Sequence, residues 1–231
     1  MRPGHTDLPI TVRYADAALL VLEKPAGLLS VPGRGPDKQD CLSARVQQQY
    51  PDARVVHRLD MATSGLMLMA RGAQALSALN RAFANRDVHK RYQALVHGSI
   101  EAAQGPWQTI DLPIAVDWPN RPLRIIDAGG KASLTRWRCF SDDPHSPLQH
   151  PLVQTGLPVC RLELEPVTGR SHQLRVHLRA IGHPIVGDTL YGNATDDARL
   201  AAARLMLHAS SLTLRHPVSG EPMAFTSAPD F

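Results

Sequence analysis

Apolar runs in this chain are short. The most continuous, Gly65-Leu66-Met67-Leu68-Met69-Ala70, is the length of a buried strand and far below the roughly 18 apolar residues a membrane helix needs. Ile10 to Tyr14 and Leu19 to Glu23 read as strands flanking Asp16, Arg91 to Val96 and Val159 to Glu165 alternate, and Leu212, Leu214, Met223 and Phe225 suggest a closing pair of strands. Helical spacing is confined to a few places. Leu76, Leu79, Ala82 and Phe83 form a stripe within 73–86, Asp40 can cap a helix through Gln49, Thr168 can cap one ending near Gly182, and Asp196 to Leu207 has a helical pattern. Pro113, Pro119 and Pro122 break the stretch from Trp107 to Trp137 into short β pieces, and the proline-rich 142–158 reads as a loop. With more strand than helix and no internal repeat, the expected fold is α+β, a mixed, mostly antiparallel β-sheet core with flanking helices, in a single catalytic-sized domain over 1–231.

Composition narrows the function classes. Cys41, Cys139 and Cys160 are odd in number and form no Cys-x-x-Cys pair, which argues against a disulfide framework or a zinc knuckle. The first residues carry no apolar segment of the signal-peptide kind, so a cytoplasmic protein is expected, and no spare apolar stripe argues for more than a monomer. The net charge of +4 permits nucleic-acid binding without requiring it. Arginine supplies all the basic residues except Lys24, Lys38, Lys90 and Lys131, and arginine pairs bidentately with phosphate and stacks on bases.

Two segments concentrate the chemistry. His57-Arg58-Leu59-Asp60-Met61-Ala62-Thr63-Ser64-Gly65 places one carboxylate in a basic segment that ends in a turn. If 55–60 is extended, Arg58 and Asp60 share one face and His57 and Leu59 the other. A carboxylate beside arginines is held in its charged form, a poor general acid and a plausible nucleophile or base. An isolated Arg-x-Asp is more often a loop ion pair, so the weight lies on the full run. The second segment, Thr168-Gly169-Arg170-Ser171-His172-Gln173-Leu174-Arg175-Val176-His177, offers three basic side chains at a helix start, with N–H groups where a phosphate can dock. Leu174, Leu178 and Ile181 face the core by spacing, and Arg170, in the expected first turn, is free to leave it. Tyr92, between basic residues on a strand, can stack on a base, although a strand tyrosine is usually half-buried core.

Other chemistries fit poorly. His172, His177 and His183 lack a His-Glu-x-x-His or a carboxylate cluster, so no metal is expected. The deaminase signature, the nucleophile elbow, the P-loop and the dinucleotide fingerprint are all missing. A two-carboxylate glycosidase wants a second placed acid, which neither segment supplies.

The ordered motifs resemble the RluA family of pseudouridine synthases. His57-Arg58-Leu59-Asp60-x-x-Thr63-Ser64-Gly65 is similar to the segment around that family's essential aspartate, Lys24-Pro25-Ala26-Gly27-Leu28 to its first motif, Lys90-x-Tyr92 to its tyrosine motif and the 168–177 run to its arginine motif. His183-Pro184-Ile185-x-Gly187-Asp188 and Leu207-His208-Ala209 resemble the closing motifs. The resemblance implies a synthase fold without an S4 domain, isomerisation of uridine in RNA, and no cofactor. It implies catalytic roles for Asp60, Tyr92 and Arg170 and substrate-binding roles for Arg58, His57, Lys24, Leu174 and Arg175. Arg58 would fill the space left by the flipped base and Leu174 would wall the pocket. Gly27-Leu28-Leu29-Ser30-Val31-Pro32-Gly33 and the 111–122 segment resemble the branch that acts on both 23S rRNA and tRNA. The competing reading is a non-catalytic RNA-binding protein that keeps this fold.

Overall fold

The computed structural model describes residues 10–100, 106–139, 157–192, 194–199 and 202–231. Most of the expected 142–158 loop lies outside them. The described residues gather into two compact units, 10–90 with 208–229 and 91–207 with 230–231. The fold class is as expected: α+β, with antiparallel pairing dominant.

In the first unit, β4 (Ser64–Arg71) is the centre. β2 (Leu19–Lys24) pairs antiparallel along it, with β1 (Thr11–Ala15) outside, and β3 (Ala53–Val55) pairs with its far end. β11 (Leu207–Arg215) runs parallel to its start, at His208 opposite Ser64 and Ala209 opposite Gly65, and β12 (Pro222–Thr226) closes antiparallel on β11. β4 is buried on both faces, which is why it reads as a continuous apolar run rather than an alternating one. On one face Leu19, Val21, Leu66, Leu68, Leu212 and Leu214 pack under α2 (Gly72–Asn85), which contributes Ala75 and Leu79 and leans Leu76, Ala82 and Phe83 against them. Gly65 has φ +108, and a Cβ there would lie 2.4 Å from the Ala209 carbonyl oxygen. Only glycine lets β11 come this close.

α1 (Leu42–Gln49) starts one residue later than expected. Cys41 caps it, its sulfur accepting from the Ala44 N–H, because the Asp40 carboxylate is spent in a bidentate pair with Arg45 at 2.6 Å.

In the second unit, β5 (His89–His97), β10 (Val159–Pro166), β9 (Leu134–Cys139) and β6 (Gln108–Asp111) form antiparallel ladders in that order. The hairpin of β7 (Ile114–Val116) and β8 (Arg124–Ile126) packs on α3 (Gln173–Ala180) through Ile114, Val176 and Tyr191, with Leu123, Ile126 and Leu190 against them. α4 spans only Ala194–Arg199. The expected helix to Leu207 stops short because Met206 is drawn into backbone pairing, donating to Val186 and accepting from Leu95. All three cysteines are free thiols, and no described helix is long and apolar enough to cross a membrane.

Candidate active site

Asp60 sits half-buried on a short turn just before β4, closed by the Thr63 N–H donating to the Asp60 carbonyl at 3.1 Å. β3 ends at Val55, so 57–60 is not a strand, yet the inside-outside pattern survives: Leu59 is buried and Arg58 exposed. The turn is laced to the loop after β2. Lys24, fully buried, donates from Nζ to the carbonyls of Pro25, Leu28 and Met61 at 2.8, 2.8 and 3.0 Å. The Gly27 N–H also donates to the Met61 carbonyl, at 2.9 Å. Ser30 Oγ donates to the Leu59 carbonyl at 2.7 Å and accepts from the Leu59 N–H at 3.1 Å. The residues on either side of Asp60 are thereby held by their backbones. Lys24 lies inside the scaffold, where its ammonium fixes the turn.

The exit from the turn is fixed as well. Ser64 Oγ hydrogen-bonds His208 Nδ1 at 2.9 Å, His208 Nε2 meets Ser227 Oγ at 2.9 Å, and Ser227 Oγ donates to Glu23 at 2.6 Å. Since Ser227 spends its proton on Glu23, it accepts from Nε2–H, which leaves Nδ1 to accept from Ser64. This buried chain ties β4, β11, β12 and β2 together behind the turn.

His57 turns inward. Its Nε2 accepts from the Leu68 N–H at 2.9 Å and its ring stacks on Phe83 at 4.8 Å. Burial, followed by the nearby Lys90 ammonium, pushes the imidazole down to about 3, so it is neutral at physiological pH. The Lys90 ammonium lies 5.7 Å from the centre of the Phe83 ring, and burial draws it below the ordinary lysine range.

In the second unit, Tyr92 is half-buried on β5, opposite Leu164 of β10. The arginine segment differs from its expected form. α3 begins at Gln173, so Arg170 lies in the approach to the helix rather than in its first turn. Thr168 does not cap the helix. Its hydroxyl donates to Gln173 Oε1 at 2.7 Å and accepts from the Leu134 N–H at 2.9 Å. Gln173, 4% exposed, organises the approach: Oε1 also accepts from the Arg170 N–H, and Nε2 donates to the Leu134 carbonyl and Thr135 Oγ1. His172 takes the left-handed conformation, φ 58, with Nδ1 bonded to the Tyr191 hydroxyl at 2.7 Å. Arg170 is exposed, and among the described residues its guanidinium makes one hydrogen bond, from Nε to the Ala132 carbonyl at 3.2 Å.

Arg175 is buried in a bidentate pair with Asp188, both contacts 2.7 Å, and Asp188 also accepts from the N–H groups of Leu190 and Tyr191. Leu174 is buried alongside it on α3. His177 bonds Thr135 Oγ1 and the Leu112 carbonyl, both at 2.9 Å, and burial lowers its imidazole. Among the described residues no three His, Cys, Asp or Glu side chains gather as metal ligands.

Among the residues expected from sequence, Arg58 and Arg170 are exposed, Asp60, Tyr92 and His57 are half-buried, and Lys24, Leu174 and Arg175 are buried. His57, Lys24 and Arg175 turn into the frame. Ser227 stands in no motif, and Ser30 and His208 appear in the sequence only inside resembling motifs, with no role attached. A serine in a turn-rich loop carries no pattern, and partners 29 or 144 residues apart leave no local spacing to detect.

Residues 18–180 match the family model described as RNA pseudouridylate synthase. The chain is 45% identical over 215 residues to the dual-specificity RNA pseudouridine synthase RluA of Vibrio parahaemolyticus, covering 93% of this chain and 81% of that protein. It is 41% identical over 223 residues to the protein of the same name from Escherichia coli strain K12, covering 96% and 94%. Among solved structures, human RNA pseudouridylate synthase domain containing 1 superposes with a TM-score of 0.76 at 29% identity, over 100% of this chain and 87% of that one. Human RNA pseudouridylate synthase domain containing 4, at 22% identity and a TM-score of 0.69 over 94% and 88%, shares the fold.

Proposed function

This chain belongs to the RNA pseudouridylate synthase family, and we propose that it converts uridine to pseudouridine in both 23S rRNA and the tRNA anticodon stem-loop, with Asp60 as the reacting carboxylate. The observation that carries the assignment of Asp60 is its turn, pinned on both sides of the residue by Lys24, Gly27 and Ser30. A reacting group must be held within a fraction of an ångström of its productive position, and a turn fixed through its backbone does this.

The reaction breaks the N1–C1′ bond of uridine, turns the base and joins C5 to C1′; the C5 proton is lost and N1 gains one. Nothing is oxidised or reduced and no water is consumed, so one charged carboxylate suffices. Two routes start from it, attack of Asp60 on C1′ and removal of the 2′ proton by Asp60, and a 2′-deuterium isotope effect separates them. Arg170 is assigned to hold that carboxylate charged, and Tyr92 to stack on the target base and assist loss of the C5 proton. Leu174 is assigned to the pocket wall. Arg58, exposed beside the turn, is assigned to the space the flipped base vacates; extruding a base costs a few kcal/mol and least in a loop. His57, Lys24 and Arg175 serve the substrate indirectly, by holding these segments. A dual specificity is supported by the two relatives reported above, each named a dual-specificity RNA pseudouridine synthase, and the choice of 23S rRNA and tRNA rests on the resemblance of 27–33 and 111–122 to one branch of the family.

The test is tritium release from C5-labelled uridine in two transcripts, a tRNA anticodon stem-loop and a 23S rRNA hairpin. Release from both, lost in Asp60→Asn, is expected. Release from one removes the dual specificity, and none from either or from total unmodified RNA removes the catalytic reading.

A further inference from the structure

Trp118 is 67% exposed, and its indole takes no part in the apolar cluster that seats the β7–β8 hairpin. The tip that carries it is rigid. The Asp117 carboxylate accepts from the Asn120 backbone N–H at 3.2 Å and from its Nδ2 at 3.1 Å, the Asp117 N–H donates to the Leu123 carbonyl, and the Leu123 N–H to the Asn120 carbonyl. The Arg121 guanidinium lies 4.9 Å from the centre of the indole ring. An aromatic plane on an ordered turn, with a cation beside it and its surface open to water, offers a face on which another ring can stack.

The hairpin is also fixed to the arginine segment. The Tyr191 hydroxyl accepts from the Arg124 N–H at 2.8 Å and bonds His172 Nδ1 at 2.7 Å, two residues past Arg170. The Asp127 N–H donates to the Pro113 carbonyl, and Ile114 and Lys131 exchange backbone hydrogen bonds. Trp118 and Arg170 therefore ride on one frame.

We propose that Trp118, backed by Arg121, is a stacking platform for an unpaired base of the RNA substrate, separate from the target uridine. The identity of the ligand as RNA rests on the synthase reading above. Every base has a π-face, so such a contact tolerates different sequences, and the guanidinium adds a cation beside the phosphates. The Asp117 carboxylate is taken up by the Asn120 side chain and backbone within the turn.

The test compares Trp118→Ala and Trp118→Phe with the unmodified protein on the two transcripts named above, following dissociation constant, KM, kcat and melting temperature. Loss of one stacked base is expected to weaken binding by about 5-fold to about 150-fold. KM should rise in parallel, kcat at saturating RNA and the melting temperature should hold, and Trp118→Phe should recover most of the affinity. Unchanged binding and KM in Trp118→Ala would overturn the platform, as would a fall in melting temperature accompanied by loss of kcat. The binding arm needs no turnover. A Trp118-dependent dissociation constant with no tritium release in the unmodified protein would uphold the platform and sink the synthase reading, while release with Trp118-independent binding would do the reverse.

Discussion

The Asp60 turn and the Arg170 segment both present a charged side chain, but they are held in opposite ways. The turn is gripped from outside its own sequence: Lys24, Gly27 and Ser30 seize its backbone, and Arg58 and Met61 remain exposed. The Arg170 segment is held by its own side chains, since Gln173, Arg175 and His177 are all buried and hydrogen-bonded, while Arg170 is exposed at the approach to the helix. Matching residues in a motif can thus be chemistry in one place and carpentry in another. The ways to break this contrast separate activity from stability.

The largest effect falls on the turn. Asp60→Asn keeps size and shape, and on the role proposed for Asp60 it should lower turnover by about 10⁴-fold or more while RNA binding and melting temperature stay close to those of the unmodified protein. Tritium release and a thermal melt check both. Appreciable turnover in a sequence-verified preparation would take the reaction away from Asp60.

The next is expected in the opposite currency. Arg175→Leu leaves Asp188 buried without its cation, and breaking a buried pair this way costs about 3–5 kcal/mol. Urea unfolding reads it directly. If stability barely changed and RNA affinity fell instead, Arg175 would be a substrate contact and the contrast between the segments would fail. Arg170→Ala sharpens it from the same segment: an exposed arginine with one 3.2 Å hydrogen bond contributes little to the fold, and removing a placed cation from the reaction should lower kcat by about 10²-fold. Equal losses in stability and kcat would make Arg170 part of the frame.

Where the sequence was legible, one force decided. β4 is a continuous apolar run because both its faces are covered, and α2 shows its stripe because Leu76, Leu79, Ala82 and Phe83 meet the same core. Helix starts were misread where a polar side chain had a better partner: Arg45 took Asp40, and Gln173 with Leu134 took Thr168. Asp60 stood out because it is the lone acid of its segment. That Lys24, His57 and Arg175 face inward could not be read from charge alone, since a buried cation and an RNA contact use the same letters. The carbonyl cradle, the Leu68 N–H and the Asp188 carboxylate that distinguish them are contributed by distant parts of the chain.

The smallest effect probes the inward residue nearest the turn. Neutral His57 accepts from the Leu68 N–H, and a protonated ring could not; in the unfolded chain the same imidazole titrates near 6.5. Because the folded value is pushed down to about 3, the unfolded state takes up the proton first as the pH falls. The contribution of His57 is therefore complete above about pH 6.5 and declines toward pH 3, by about 1.4 kcal/mol per pH unit. Between pH 7 and pH 5 the unmodified protein should lose about 2 kcal/mol more than His57→Gln, which supplies a carbonyl acceptor that does not titrate in this range. Urea midpoints for the two proteins at both values give the difference, and the other titrating groups cancel in the comparison. Equal losses would mean that the ring is protonated in the fold. His57 would then face outward as a cation available to RNA, and the division between the exposed residues of the turn and their buried support would have to be drawn one residue earlier.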